Sequence, residues 1–367
     1  MKCPPTQSAS ATHVTHDGDT YLSFGGCNYM GLAHHPAVIS AAQNALETFG
    51  LSTSASRQTT GNALPHEQLE SDLARFTRFE SALLLPDGYT ANLAALQGLA
   101  SQGIRHAVLD ARAHSSLFDA AKLAQMTIHT YNHLDAHHAE RIHNALNQPC
   151  VVLTDAVFTT TGMIAPINTL LNTITDQMYL LIDDCHGFTV LGKQGQGTAH
   201  HLDLQHPSLI MTTTLLKGLG CAGGVVLGKA ELISATRNES TAFICTTPAS
   251  PALASAACTA LKILESDQER REQLHSNINT LRRELNSIGI TTHSDPTPIF
   301  AFTIGDADTM RHIEHQLLDQ KIILPLMEYP GGPAPLYFRL SLTASHTTEH
   351  IHQLTSALAS AQKALPA

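Results

Sequence analysis

The sequence predicts an α/β protein: a large domain with a mostly parallel sheet covered by helices, followed by a smaller α+β domain. Three observations predict it. Short apolar runs alternate with amphipathic stretches between residues 81 and 227. Those runs lack interleaved polar residues, as suits strands buried on both faces. Beyond about residue 250 long helical stripes take over.

The elements follow in order. Leu69, Leu73 and Phe76 share one face of a helix. Apolar runs predict strands at 81–85, 106–110, 150–154, 179–183, 208–212 and 224–227. A turn at Pro86-Asp87-Gly88 precedes a second helix that starts near Tyr89. A long helix over about 266–287 carries Leu274, Ile278, Leu281 and Leu285 on one stripe. Strand-like runs follow at 299–302 and 336–342, then a final helix with Ile351, Leu354 and Leu358 on one side. The expected division is an N-terminal segment at 1–35, a large domain at 36–249 and a small domain at 250–367.

Composition narrows the function. Of 367 residues, 43% are hydrophobic and 14% charged, which suits a globular chain. The formal net charge is −10 and no basic run occurs, which argues against nucleic acid and anionic membranes as partners. The 23 histidines lack metal-site spacing, so no metal is expected. Seven cysteines, an odd number without a CxxC pair, read as reduced thiols of a cytoplasmic protein. No apolar stretch is long enough to span a bilayer, and the first residues lack the apolar core of a signal peptide.

Polar residues collect at the predicted strand ends: Asp110, Asp155, Asp183 and Asp184, with Lys217 after a further strand. Ligands of open parallel sheets bind at the carboxyl ends of strands. Lys217 stands among Thr212, Thr213, Thr214, Gly218 and Gly220, with no acid beside it. Burial there would favour the neutral amine, which attacks carbonyls to form Schiff bases. The threonines would offer hydroxyls to a phosphate, and the glycines would allow close approach to the backbone. This combination suggests pyridoxal phosphate (PLP). A lysine merely flanking a buried strand is the alternative. Asp183 at a strand end could keep a pyridine nitrogen protonated, and His186 could reach the ring's phenolic oxygen; a turn that caps a helix is the other reading. In 336–342 the residues Leu336, Phe338, Leu340 and Leu342 share one strand face and Arg339 points the opposite way. Its guanidinium could hold a carboxylate through two parallel hydrogen bonds, or it could be an exposed strand arginine.

Several segments together resemble the α-oxoamine synthases, a family of fold-type I PLP-dependent enzymes. They are residues 28–36, 54–62 with 66–70, 88–92, 110–116, 155–162, 183–187 with 190–195, the lysine segment, and 338–346. Each is weak alone; their order and spacing over nearly the whole chain are specific. The resemblance implies a PLP-dependent acyltransferase that condenses a small amino acid with an acyl thioester, losing carbon dioxide to give an α-aminoketone. L-Alanine with a pimeloyl thioester, as in biotin synthesis, matches best. Glycine or serine with another donor, from coenzyme A or a carrier protein, is an alternative. So is an aminotransferase, racemase or aldolase reaction without acyl transfer.

It also implies roles. Lys217 would bind the cofactor as a Schiff base and move the substrate's α-proton. Asp183 would pair with the pyridine nitrogen, His186 with the phenolic oxygen, and His114 would stack on the ring. Gly88 and Tyr89 would bind the phosphate through their N–H groups, with Thr214 adding a hydroxyl. Thr159 would lie near the cofactor. Thr247 would reach the phosphate of a neighbouring subunit, which implies a homodimer with shared sites. Arg339 and Asn28 would meet the amino-acid carboxylate. The chain departs from the family pattern at Leu216, at Thr161, in 326–332, and in having only about 20 residues before its first strand. These departures bear on the acyl donor more than on the cofactor chemistry.

Overall fold

The structure is a computed structural model and describes residues 5–175, 177–329 and 331–363; Cys3 and Pro330 lie outside them. The chain forms two compact units. One comprises His35–Phe158 and Ile164–Ser266, the other Met1–His34, Thr159–Met163 and Asp267–Ala367. The change of unit follows Ser266, whereas the onset of long helical stripes placed it near residue 250. The long helix expected over 266–287 begins at Gln268 because Asp267 caps it, accepting a 3.0 Å hydrogen bond from the Arg270 N–H. The preceding helix Pro251–Ser266 belongs to the first unit.

The described strands are β1 (Ser8–Ala9), β2 (His13–His16), β3 (Asp19–Ser23), β4 (Ser81–Leu85), β5 (His106–Asp110), β6 (Thr127–Tyr131), β7 (Cys150–Asp155), β8 (Met178–Asp183), β9 (Leu209–Thr214), β10 (Gly224–Gly228), β11 (Ile299–Phe302), β12 (Ile322–Ile323), β13 (Leu326–Met327) and β14 (Tyr337–Ser341).

The first unit is organised by a seven-stranded sheet in the order β4-β10-β9-β8-β7-β5-β6. Only β10 runs against its neighbours. The other six strands therefore end on one edge, at Leu85, Thr214, Asp183, Asp155, Asp110 and Tyr131. Leu83, Leu109, Val151, Leu153, Leu181 and Ile210 are buried on the sheet against Ala94, Ala95, Leu99 and Leu117. The alanines of helix Gly88–Ser101 let that helix lie close to the strands. The apolar runs thus mark a parallel sheet buried on both faces. Strand β6 carries no such run: in TIHTY at the sheet edge only Tyr131 is buried, and only the pairing with β5 reveals the strand.

In the second unit β1, β2, β3 and β12 form one sheet, and β11, β14 and β13 another. The chain enters its first strand at Ser8, not near residue 20. The signal was present in Asp17-Gly18, both at positive φ (50° and 83°), which turns β2 into β3. Buried Leu274, Ile278, Leu281 and Leu285 line one side of helix Gln268–Ser287, as the stripe predicted.

Candidate active site

The strand-end edge of the seven-stranded sheet collects the chemistry. Register places Asp155 of β7 beside Asp183 of β8, and Asp183 beside Thr212 of β9. After β9 the chain loops through Lys217 and returns as β10. Lys217 Nζ and His186 Nε2 share a hydrogen bond at 2.7 Å. His186 stands in the turn after β8, so the strand order brings together two groups that sequence separates by a whole βαβ step.

Asp183 is fixed from two sides. Its Oδ2 accepts 2.8 Å from Asn92 Nδ2, and its Oδ1 accepts 3.1 Å from the Cys185 N–H. His114 caps helix Ser115–Leu123, and its backbone N–H donates to Asp155 Oδ1 at 3.1 Å. Asp155 is wholly enclosed. Burial, and then the neighbouring Asp183 charge, hold its carboxyl well above the usual range. Burial does the same to the Cys185 thiol. Asp184 faces away from Asp183: its Oδ2 accepts from the Thr198 N–H at 2.7 Å and its Oδ1 from Thr198 Oγ1 at 2.5 Å. Burial pushes Asp184 up to about 7 despite those hydrogen bonds. It pins the turn that carries Asp183 and His186.

The expected phosphate-binding residues lie at the start of helix Gly88–Ser101. Asp87 caps this helix, with its Oδ1 accepting 2.7 Å from the Thr90 N–H. The N–H groups of Gly88 and Tyr89 have no acceptor among the described residues. A Cβ on Gly88 would come within 3.2 Å of Thr214 Cβ and 3.4 Å of Cys185 Sγ, so only glycine leaves this corner open. The three threonines divide. Thr212 Oγ1 donates to Asn92 Oδ1 at 2.5 Å and Thr213 Oγ1 to the Asp184 carbonyl at 3.3 Å. Thr214 Oγ1 donates to the Gly223 carbonyl at 3.1 Å and accepts from the Leu216 N–H at 3.2 Å, so all three hydroxyls have protein partners, and only Thr214 stands beside Gly88. The glycine reading also changes. What approaches Gly218 is Thr189, whose Oγ1 would lie 1.7 Å from an added Cβ, while Gly220 serves a φ of 68°. Open N–H groups, a glycine-lined corner, an adjacent carboxylate and a lysine amine together fit PLP in donor chemistry and charge.

Tyr89 is half exposed, and its hydroxyl donates to Asp119 Oδ2 at 3.1 Å. Thr247 is exposed in the segment after helix Thr241–Ile244. The remaining expected residues fall in the second unit. Arg339 on β14 is 8% exposed, which excludes the reading as a surface arginine. Its Nε donates to the Thr159 carbonyl at 2.7 Å, and Nη1 lies 3.4 Å from Ser341 Oγ. Asn28 Oδ1 accepts from the Ala33 N–H at 3.4 Å, while its Nδ2 is buried without a hydrogen-bond partner among the described residues. Asn92 and Asp155 were missed as site residues by sequence reasoning. Asn92 falls inside the helix pattern, and Asp155 stood out only as one strand-end acid among several.

Among the described residues no group of three His, Cys, Asp or Glu side chains could hold a metal ion. No described helix is long and apolar enough to cross a membrane.

The aminotransferase class I and II family model matches residues 19–358. The chain belongs to this family. It is 35% identical over 355 residues to an 8-amino-7-oxononanoate synthase of Hahella chejuensis, covering 96% of this chain and 89% of the relative. Among solved structures it is similar to a serine palmitoyltransferase of S. paucimobilis with a bound PLP–myriocin aldimine. The TM-score is 0.90 at 26% identity, over 98% of this chain and 91% of that one. An 8-amino-7-oxononanoate synthase of Francisella tularensis gives 0.82 at 25% identity, over 94% and 98%. The fold is that of the fold-type I PLP transferases, as the α-oxoamine synthase resemblance implied.

Proposed function

We propose that this chain is a PLP-dependent acyltransferase of the α-oxoamine synthase type. It joins L-alanine to a pimeloyl thioester with loss of carbon dioxide, as in biotin synthesis. The observation that carries the reading is the Lys217 amine at 2.7 Å from His186, in the loop after β9, with Asp183 on the adjoining β8. The near-full-length similarity to 8-amino-7-oxononanoate synthases supports the choice of substrates.

When bound, PLP supplies an electron sink for a carbanion at the substrate's α-carbon. This chain's residues do the rest. Gly88 and Tyr89 N–H groups hold the phosphate, joined by the Thr214 hydroxyl once its O–H turns from the Gly223 carbonyl. Asp183 keeps a proton on the pyridine nitrogen, and His114 packs on the ring. His186 meets the phenolic oxygen and steadies the Lys217 amine. Lys217 anchors the cofactor, then takes the α-proton as a general base and later returns a proton. Arg339 takes the substrate carboxylate with a planar, permanently charged fork. Asn28 offers its unpartnered Nδ2 to the same group, and Thr159, whose carbonyl holds Arg339, lies near the cofactor. The protein works as a cytoplasmic homodimer, with Thr247 of one protomer reaching the partner's phosphate.

The test is spectroscopic. The purified protein is titrated with PLP, then with glycine, L-alanine and L-serine, each with and without acyl-CoAs that include pimeloyl-CoA. Free thiol released only with L-alanine and pimeloyl-CoA supports the reading. Amino-acid turnover without thiol release assigns an aminotransferase or racemase reaction instead. A protein that takes up no PLP refutes the reading altogether.

A further inference from the structure

Asn92 is fully buried on helix Gly88–Ser101, and every polar position of its amide is used. One N–H of Nδ2 donates to Asp183 Oδ2 at 2.8 Å and the other to Ser116 Oγ at 3.0 Å. Its Oδ1 accepts from Thr212 Oγ1 at 2.5 Å. The amide can sit only one way round, because a flip would set its oxygen against the Asp183 carboxylate. Ser116 Oγ accepts from Asn92, so its own O–H is free to donate to His114 Nδ1, 2.7 Å away. The Ser116 backbone N–H donates to the same Nδ1 at 3.2 Å. With two donors aimed at Nδ1, the neutral imidazole of His114 carries its proton on Nε2.

We propose that Asn92 is a positioning residue that locks Asp183 and, through Ser116, His114 together, and thereby fixes His114 as the Nε2–H tautomer. Asp183 and His114 are the two side chains assigned above to the cofactor's pyridine nitrogen and ring face. The proposal rests on that assignment for its consequence but not for its geometry. The donors all run one way, from Thr212 to Asn92 and from Asn92 outward to Asp183 and Ser116, so each bond polarises the next.

The experiment has one arm without cofactor and one with it. Long-range ¹H–¹⁵N spectra of the cofactor-free protein, with the His114 signal assigned through His114→Gln, report the tautomer directly. The expected result is Nε2–H in the wild type and a mixture in Ser116→Ala and Asn92→Ala. With PLP added, Asn92→Ala weakens cofactor binding about ten- to a hundred-fold, as expected for a lost hydrogen bond to a charged group. It also diminishes the visible circular dichroism of the bound cofactor. Ser116→Ala alters the dichroism with little change in affinity, because Asp183 keeps its Asn92 partner. Two outcomes overturn the proposal: an Nδ1–H tautomer in the wild type, or unchanged dichroism and affinity in both variants when both remain folded. If the wild type takes up no PLP, the cofactor assignment fails, and the tautomer spectra still decide the network.

Discussion

Two carboxyl groups are enclosed at the strand ends of the seven-stranded sheet. Asp155 and Asp184 are both pushed toward the protonated form by burial. In the unit built from both chain termini, the enclosed groups include two bases. Arg339 is buried against the Thr159 carbonyl, and burial drives His346 down to about 4. His346 stacks on Phe24 with ring centroids 4.7 Å apart, and its Nδ1 accepts from the Thr343 N–H at 3.0 Å. The difference teaches that one chain can bury polar groups for two ends. The sheet unit gathers carboxyl groups on adjoining strand ends, Asp155 beside Asp183. The other unit buries nitrogen against its own backbone: Arg339 on the Thr159 carbonyl and His346 on the Thr343 N–H.

That contrast can be broken at four points, two in catalysis and two in stability, each pair from the larger effect to the smaller. Lys217→Ala should lower kcat by about 10⁴-fold or more, since it removes both anchor and general base; steady-state thiol release measures it. Arg339→Gln should cost about a hundred-fold in kcat/KM, mostly as a higher KM for the amino acid. A fall in kcat with KM unchanged would move Arg339 from recognition into the chemistry. The third point is Asp184. Its folded pKa is raised, so its contribution to stability is whole below pH about 4 and is lost as pH climbs through about 7. The loss is about 4 kcal/mol. Urea unfolding from pH 4 to 8 should show that decline, and Asp184→Asn should lack it. His346 has the opposite sign. Its folded pKa is depressed, so its contribution is whole above pH about 6.5 and is lost as pH falls through about 4. The expected loss is about 3 kcal/mol, absent in His346→Gln. Parallel pH profiles for the two variants would remove the distinction between the units.

Much of the sheet unit was legible because a parallel strand buried on both faces must be a continuous apolar run, and such a run can be read from one sequence. The polar residue that ends it then stands out, which is how Asp183 and Lys217 were found. Asn92 was not legible as a site residue. A polar side chain one turn into a helix has the same spacing whether it meets solvent or a carboxylate. Asp184 was masked by Asp183, since adjacent residues on a strand end face opposite ways and only tertiary packing tells which acid meets the cleft. The N-terminal strands are short and half exposed, so their pattern is weak, and Asp17-Gly18 was the sole firm cue. Arg339 was legible in direction, through alternation on β14, but not in partner: the Thr159 carbonyl is far away in sequence.

The single reversed strand of the sheet has a mechanical consequence. Because β10 runs back along β9, the segment bearing Lys217 is a short loop with both ends moored to one ladder. The Leu215 N–H to Gly223 carbonyl bond at 2.9 Å closes it further. A parallel neighbour would have needed a long crossover, and the lysine would have hung from it. A short tether has little configurational freedom left to lose. In the proposed role, Lys217 would need to move only its four-carbon stem, while the backbone mount stays still.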